Sequence, residues 1–273
     1  MAEQSTPQNF ADILTSDRDS RLMTHAGGEV LEYGDLIDLP TPAATSTFSP
    51  ISHYNFTSLI RDTAAKVLEP QGYEFSDLKL STDKNHMRLF GVFTFTKHAY
   101  KDTKLAIGFR QALDKSMAAA CALGGKVTVC DNLMFSGQEV IFRKHVGDVH
   151  LALKEKIIMT LFDVDGVWNG IQEDKEKMTS QRFDDDIAYA HFGRAYGHGL
   201  LNGTQLKSCV KEWNKPSFDH GAPTLWKWYN SITQVYKALP IHQTMKKHKA
   251  LHDFTCASPP LNAAVAPFGR LDE

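Results

Sequence analysis

The carboxylates of LFDVDGV, Leu161 to Val167, are spaced as in phosphatases that set a nucleophilic Asp and an acid/base Asp beside Mg²⁺. Asp163 and Asp165 would be that pair. The chemistry needs a strand leading into the motif, yet the preceding residues, ALKEKIIM, are helix formers. The expectation is two carboxylates on an amphipathic helix, with Gly166 as a break. Asp184, Asp185 and Asp186, followed by His191 and His198, have the ligand types of a divalent-cation site. The two histidines stand two helical turns apart, however, too far for the one-turn spacing of zinc helices. Carboxylates gathered at a helix start are favoured by the helix dipole, which is the reading preferred for the triplet.

Nucleophile chemistry has one candidate pair, Cys130 with His145 in KHVGDVH, where Asp148 suits an N-cap. Cys130 lies in an alternating strand, where a free cysteine is mostly a packing residue. The four cysteines, Cys121, Cys130, Cys209 and Cys256, form no C-x-x-C pair. Gly124, Gly125 and Gly137 match neither a phosphate loop nor a dinucleotide fingerprint, and no G-x-S-x-G elbow is present. These readings assign no catalytic residue, no metal and no cofactor.

The cations make a more coherent set. Lys97, His98, Lys101, Lys104, Arg110 and Lys115 fall in one stretch, and Arg143, Lys144 and His145 end a neighbouring strand candidate. If those strands share a sheet, both groups line one face, with Phe93, Phe95, Tyr100 and Phe109 at hand for base stacking, a combination suited to single-stranded nucleic acid. The nucleic-acid-binding set is therefore Lys97, Lys101, Lys104, Arg110, Lys115, Arg143, Lys144 and His145. A second basic cluster, KKHKALH with Lys246, Lys247 and Lys249, suits either phosphates or a solvated helix. The formal net charge is -2, so a nucleic-acid site has to be a local patch.

The elements that must position these groups divide by period. Residues 1–50 read as a flexible N-terminal segment, proline-rich between Leu39 and Pro50, with a short helix near residues 9–23. A helix over 55–69 follows, with Asn55 as its cap and Pro70 and Gly72 as its stop. Strands are expected at Phe75–Leu80, Met87–Phe95, Leu105–Leu113, Lys126–Phe135 and Glu139–His145, the last two joined at Ser136-Gly137. SMAAACAL, Ser116 to Leu123, reads as a short buried helix. From 148 the apolar spacing is helical, over 148–180, 184–213, 223–237 and Met245–Phe254. The fold class is thus α+β: a mainly antiparallel sheet with one or two helices over 51–147, a helical half over 148–256 packed on it, and a tail over 257–273. No run approaches the roughly 18–20 apolar residues of a membrane span, and cysteine usage fits a reducing cytoplasm.

Three segments carry a family resemblance: GFRQALDKSMAAACALGGKVTVCDNLMFSG, RKHVGDVHLAL and TLWKWYNSITQVYK. Together they resemble the phage- and plasmid-related domain of unknown function numbered 932, over roughly residues 53–254. Val146 departs from the family's Thr, and Gln111 and Ala112 from a more polar pair. The resemblance implies a mobile-element protein inside a bacterial host cell, and no reaction. By position it marks Arg110, Asp114, Lys115, Ser116, Cys130, Asp131, Asn132, Arg143, Lys144, His145, Trp226, Asn230 and Thr233, with Asn230 and Thr233 expected to bond a neighbouring loop. The leading expectation is a non-enzymatic nucleic-acid-associated protein, single-strand binding or annealing, with homo-oligomers extending its groove. The alternatives are an anti-defence or regulatory protein that binds a host defence protein or sequesters a small ligand, and a metal-dependent hydrolase.

Overall fold

A computed structural model describes residues 29–97, 103–127, 133–135, 140–142, 149–162, 164–239 and 241–257. Its centre is an antiparallel sheet built as a meander: β1 (Glu29–Leu31), β2 (Glu74–Thr82), β3 (Arg88–Thr96), β4 (Thr103–Ala112) and β5 (Ala119–Val127) lie side by side in chain order. Two short strands share the far side of β5: β6 (Leu133–Phe135) pairs with Gly124–Lys126, and β7 (Val140–Phe142) pairs with Ala119–Cys121. The α-helices among the described residues are α1 (His53–Leu68), α2 (Val149–Phe162), α3 (Val164–Ser180), α4 (Asp185–Gly197), α5 (Gly203–Asn214), α6 (Leu225–Tyr236) and α7 (Ile241–Ala257), all but α1 after the sheet. The α+β arrangement is the one the apolar periods imply.

Side chains alternate across a sheet, so the register sorts every strand residue onto one of two faces. One face carries Leu80, Leu89, Phe93, Phe95, Leu105, Ile107, Phe109, Cys121 and Leu123. These pack in the main core with Phe56, Ile60, Ala64 and Leu68 of α1 and Val164, Trp168 and Ile171 of α3. The four α1 residues recur every fourth position, the spacing that makes one stripe of a helix. Gly91 lies on this face too. A Cβ there would meet the Phe109 ring at 2.1 Å, so the ring occupies the place of the missing side chain. The opposite face has a small apolar centre, Phe90, Val92, Ala106 and Ala122, under Met245 of α7. Around it stand polar residues of the same parity: Asp77, Lys79, Ser81, Arg88, Thr94, Lys104, Arg110 and Lys126.

Three expectations change. SMAAACAL is not a helix: Ala119 onward is β5, paired along its length to β4. Alanine favours a helix locally, but pairing on both sides outweighs that preference, and the small side chains admit α3 on one face and Met245 on the other. The first helix begins at His53 and is capped by Ser52, whose hydroxyl accepts from the Asn55 amide at 3.1 Å, rather than by Asn55. Residues 29–50 belong to the body: β1 pairs with β2, and Leu36 and Phe48 are buried. The helix expected near 9–23, the turn at Ser136-Gly137, the cap at Asp148 and the tail 258–273 lie outside the described residues. Among the described residues no helix is long and apolar enough to cross a membrane.

Candidate anion-binding cleft

The basic residues singled out in the sequence do not all meet. Lys97 follows β3 on the apolar-face side, where its ammonium sits 3.0 Å from Asp165 Oδ1 and over the Tyr73 ring. Tyr73 also donates to that carboxylate at 2.7 Å, and these two bonds hold Asp165 below the ordinary carboxylate range. The Asp163/Asp165 motif is therefore no strand end: Leu161 and Phe162 finish α2, Val164 opens α3, and Asp165 fastens α3 to the sheet. Lys104 and Arg110 share the opposite face. Lys104 donates to Ser76 Oγ at 3.0 Å, which the bulge between Phe75 and Asp77 brings within reach. Lys115 sits in the turn after β4, its backbone left-handed at φ 62° and its ammonium over the Phe48 ring. Lys101, Arg143, Lys144 and His145 lie outside the described residues, as do Tyr100, Cys130, Asp131 and Asn132.

Three of the four rings expected to stack bases do not share a face with Lys104 and Arg110. Phe93, Phe95 and Phe109 point into the main core, where Phe93 and Phe109 stack with centroids 5.2 Å apart. They share the apolar face, not the one that carries Lys104 and Arg110.

Two other basic groups do converge. Where the mixed face meets α7, a cleft of about 870 Å³ is lined by Arg88, Ser116, Met117, His198–Leu200, Gln243, Lys246, Lys247 and Ala250. Three of these side chains are cationic, His198 adds an imidazole, and no carboxylate lines the cleft among the described residues. Arg88 heads β3 with the parity of Arg110, and its guanidinium donates to Asp114 Oδ2 at 3.0 Å and Ser116 Oγ at 2.9 Å. Partial burial pushes the Asp114 carboxyl up, but bonds from Ser116 and Arg88 outweigh it and hold the group low. From α7, Lys247 donates to the carbonyls of Gly199 at 2.7 Å and Leu200 at 3.2 Å, which pins the turn after α4, while Lys246 is exposed. Arg88 carries no signal of its own in the sequence: it is a lone cation inside the Met87–Phe95 run, and only the β3–β4 register sets it on the face of Arg110.

Five further residues singled out in the sequence have structural partners. Asp184 caps α4, accepting from the Ile187 amide at 2.8 Å, and Asp185 accepts from Trp213 Nε1 at 2.9 Å. His191 is buried between Phe183 and Trp228, and burial lowers its pKa. Asn230 and Thr233 bond carbonyls of their own helix, Trp226 at 2.9 Å and Asn230 at 3.1 Å. One group had no sequence signal: Asp174 of α3 meets His252 and Cys256 of α7, with Asp174 Oδ2 3.2 Å from His252 Nε2 and Cys256 Sγ 3.6 Å from the same nitrogen. It is not a catalytic triad, which needs acid and nucleophile on opposite ring nitrogens. Burial and the Asp174 carboxylate push the Cys256 thiol up to about 12.

No protein-family model, curated protein or solved structure matches the chain.

Proposed function

We propose that the chain is a non-enzymatic, nucleic-acid-associated protein of a phage or plasmid that holds the phosphate backbone in the cleft between β3 and α7. The observation that carries this reading is the convergence of Arg88, Lys246 and Lys247 on a cleft whose lining, among the described residues, holds no carboxylate. Arg110, beside Arg88 on the same face, would extend the track. With the sheet aromatics buried, affinity would come from phosphate contacts and depend strongly on salt. The three quoted segments support the mobile-element origin, and the bacterial cytoplasm belongs to the same proposal.

The test is binding of a fluorescent single-stranded oligonucleotide by the full chain across a salt series. For Arg88→Ala with Lys246→Ala, the plot of log affinity against log salt should flatten by roughly 1.4, about 0.7 per lost phosphate contact on a single strand. Equal affinity and slope would discard the reading. They would favour the second one, a regulatory protein with a protein partner, for which the supporting observation is the apolar end of α2: Met159 is 76% and Phe162 83% exposed.

A further inference from the structure

We propose that Asp174, His252 and Cys256 form a binding site for one zinc-like divalent cation. The proposal stands apart from the anion-binding cleft and does not rest on it. His252 and Cys256 are four residues apart on α7, one helical turn, which aims both side chains the same way. Asp174 comes from a different helix, so the three ligand atoms are joined only by the fold, and all lie within 4.8 Å of one another. In a tetrahedral zinc site, with metal–ligand bonds of ~2.0–2.3 Å, neighbouring ligand atoms stand ~3.3–3.8 Å apart. The observed 3.2 Å between Oδ2 and Nε2 and 3.6 Å between Sγ and Nε2 are close to that spacing.

The donor set narrows the cation. One sulfur, one imidazole nitrogen and one carboxylate oxygen suit a borderline ion such as Zn²⁺ over Mg²⁺ or Ca²⁺, which take oxygen. A thiolate and a carboxylate together balance a divalent charge. Sγ also lies 4.0 Å from His252 Nδ1, to the side of the ring. Coordination therefore requires the exposed Cys256 side chain to turn toward Nε2, and Cys256 lies at the open end of the cluster while His252 is buried. Binding exchanges one proton: the S–H bond breaks, sulfur keeps the electron pair and bonds the metal, and the proton goes to solvent. No oxidant or reductant enters. Three protein ligands leave the fourth position to water.

The experiment titrates the full chain with Co²⁺, a visible stand-in for Zn²⁺, and then displaces it with Zn²⁺. One equivalent should give a thiolate-to-cobalt charge-transfer absorption that Zn²⁺ bleaches. Cys256→Ser should abolish that band, and both Cys256→Ser and Asp174→Asn should weaken Zn²⁺ binding by more than about tenfold, since even outer-shell partners cost ~10–100-fold. No band in the unmodified chain, or an equal band in a Cys256→Ser protein with unchanged far-UV circular dichroism, overturns the site. If Cys256→Ser fails to fold, Asp174→Asn decides: unaltered Zn²⁺ affinity there is equally fatal.

Discussion

The two faces of the sheet are made by the same five long and short neighbours, β1 to β5, and are used differently. The apolar face is dense with rings: Phe93 stacks on Phe109, Phe109 meets Phe56 edge to face, and the Phe109 ring fills the space over Gly91. The mixed face has a small apolar patch under Met245, with Lys79, Arg88, Lys104 and Arg110 around it and Lys126 buried against Asp77. One side of the sheet holds the molecule together; the other presents charge beside a cleft. Loss of an apolar-face ring should therefore cost fold, and loss of a mixed-face cation should cost binding.

The largest expected effect tests the first half of that contrast. Phe109→Ala should destabilise the chain by about 3–5 kcal/mol, while Met245→Ala on the mixed face should cost nearer 2 kcal/mol, the low end for a buried methionine. Chemical denaturation of both variants measures the difference, and equal losses would mean that the mixed face is as much a core as its counterpart.

A second prediction uses pH. His53 is buried beside the apolar face, where Nδ1 accepts from Gln111 at 2.7 Å and Nε2 donates to the His86 carbonyl at 2.9 Å. Burial lowers its pKa from 6.5 to about 4, against the His86 bond, which raises it. As pH falls from 6.5 toward 4 the unfolded chain takes up a proton that the native chain refuses, so stability is lost across that window, on the order of 3 kcal/mol. Denaturant midpoints of the native chain and His53→Gln, measured at both ends of the window, should converge at the acid end. A constant gap would remove His53 as the source.

The smallest effect is the sharpest on the assignment of cations. Lys97→Ala breaks an ion pair that is partly exposed, and should cost under about 1 kcal/mol. It should leave oligonucleotide affinity and its salt slope unchanged, because Lys97 serves the α3 contact. A flattened slope would place Lys97 in the binding track and blur the line between the faces.

Much of the architecture was legible in the sequence. Phe56, Ile60, Ala64 and Leu68 announce α1, and the alternation in Phe75–Leu80 and Leu105–Leu113 announces strands, because one-sided burial writes its period into the chain. β5 was not legible: Ala119 to Ala122 carry no alternation, since both faces are covered and small residues suit both. The site was legible in its parts and not in its assembly. KKHKALH was visible as a basic cluster and Ser116 as a marked position, but only the docking of α7 across β3 brings them together. Lys97 and Lys104 are near in sequence and differ in face, which proximity along the chain does not reveal. Asp174 and His252 are separated by most of the helical half, so no local spacing announces their meeting.

The late position of α7 has a consequence for synthesis. The strands that it crosses leave the ribosome more than a hundred residues earlier, so at ~5–20 residues per second their mixed face waits on the order of ten seconds for its cover. A surface exposed that long to other nascent chains benefits from repulsion. Lysines and arginines around a minimal greasy centre supply it, so the charges of this face also guard the half-made protein against aggregation.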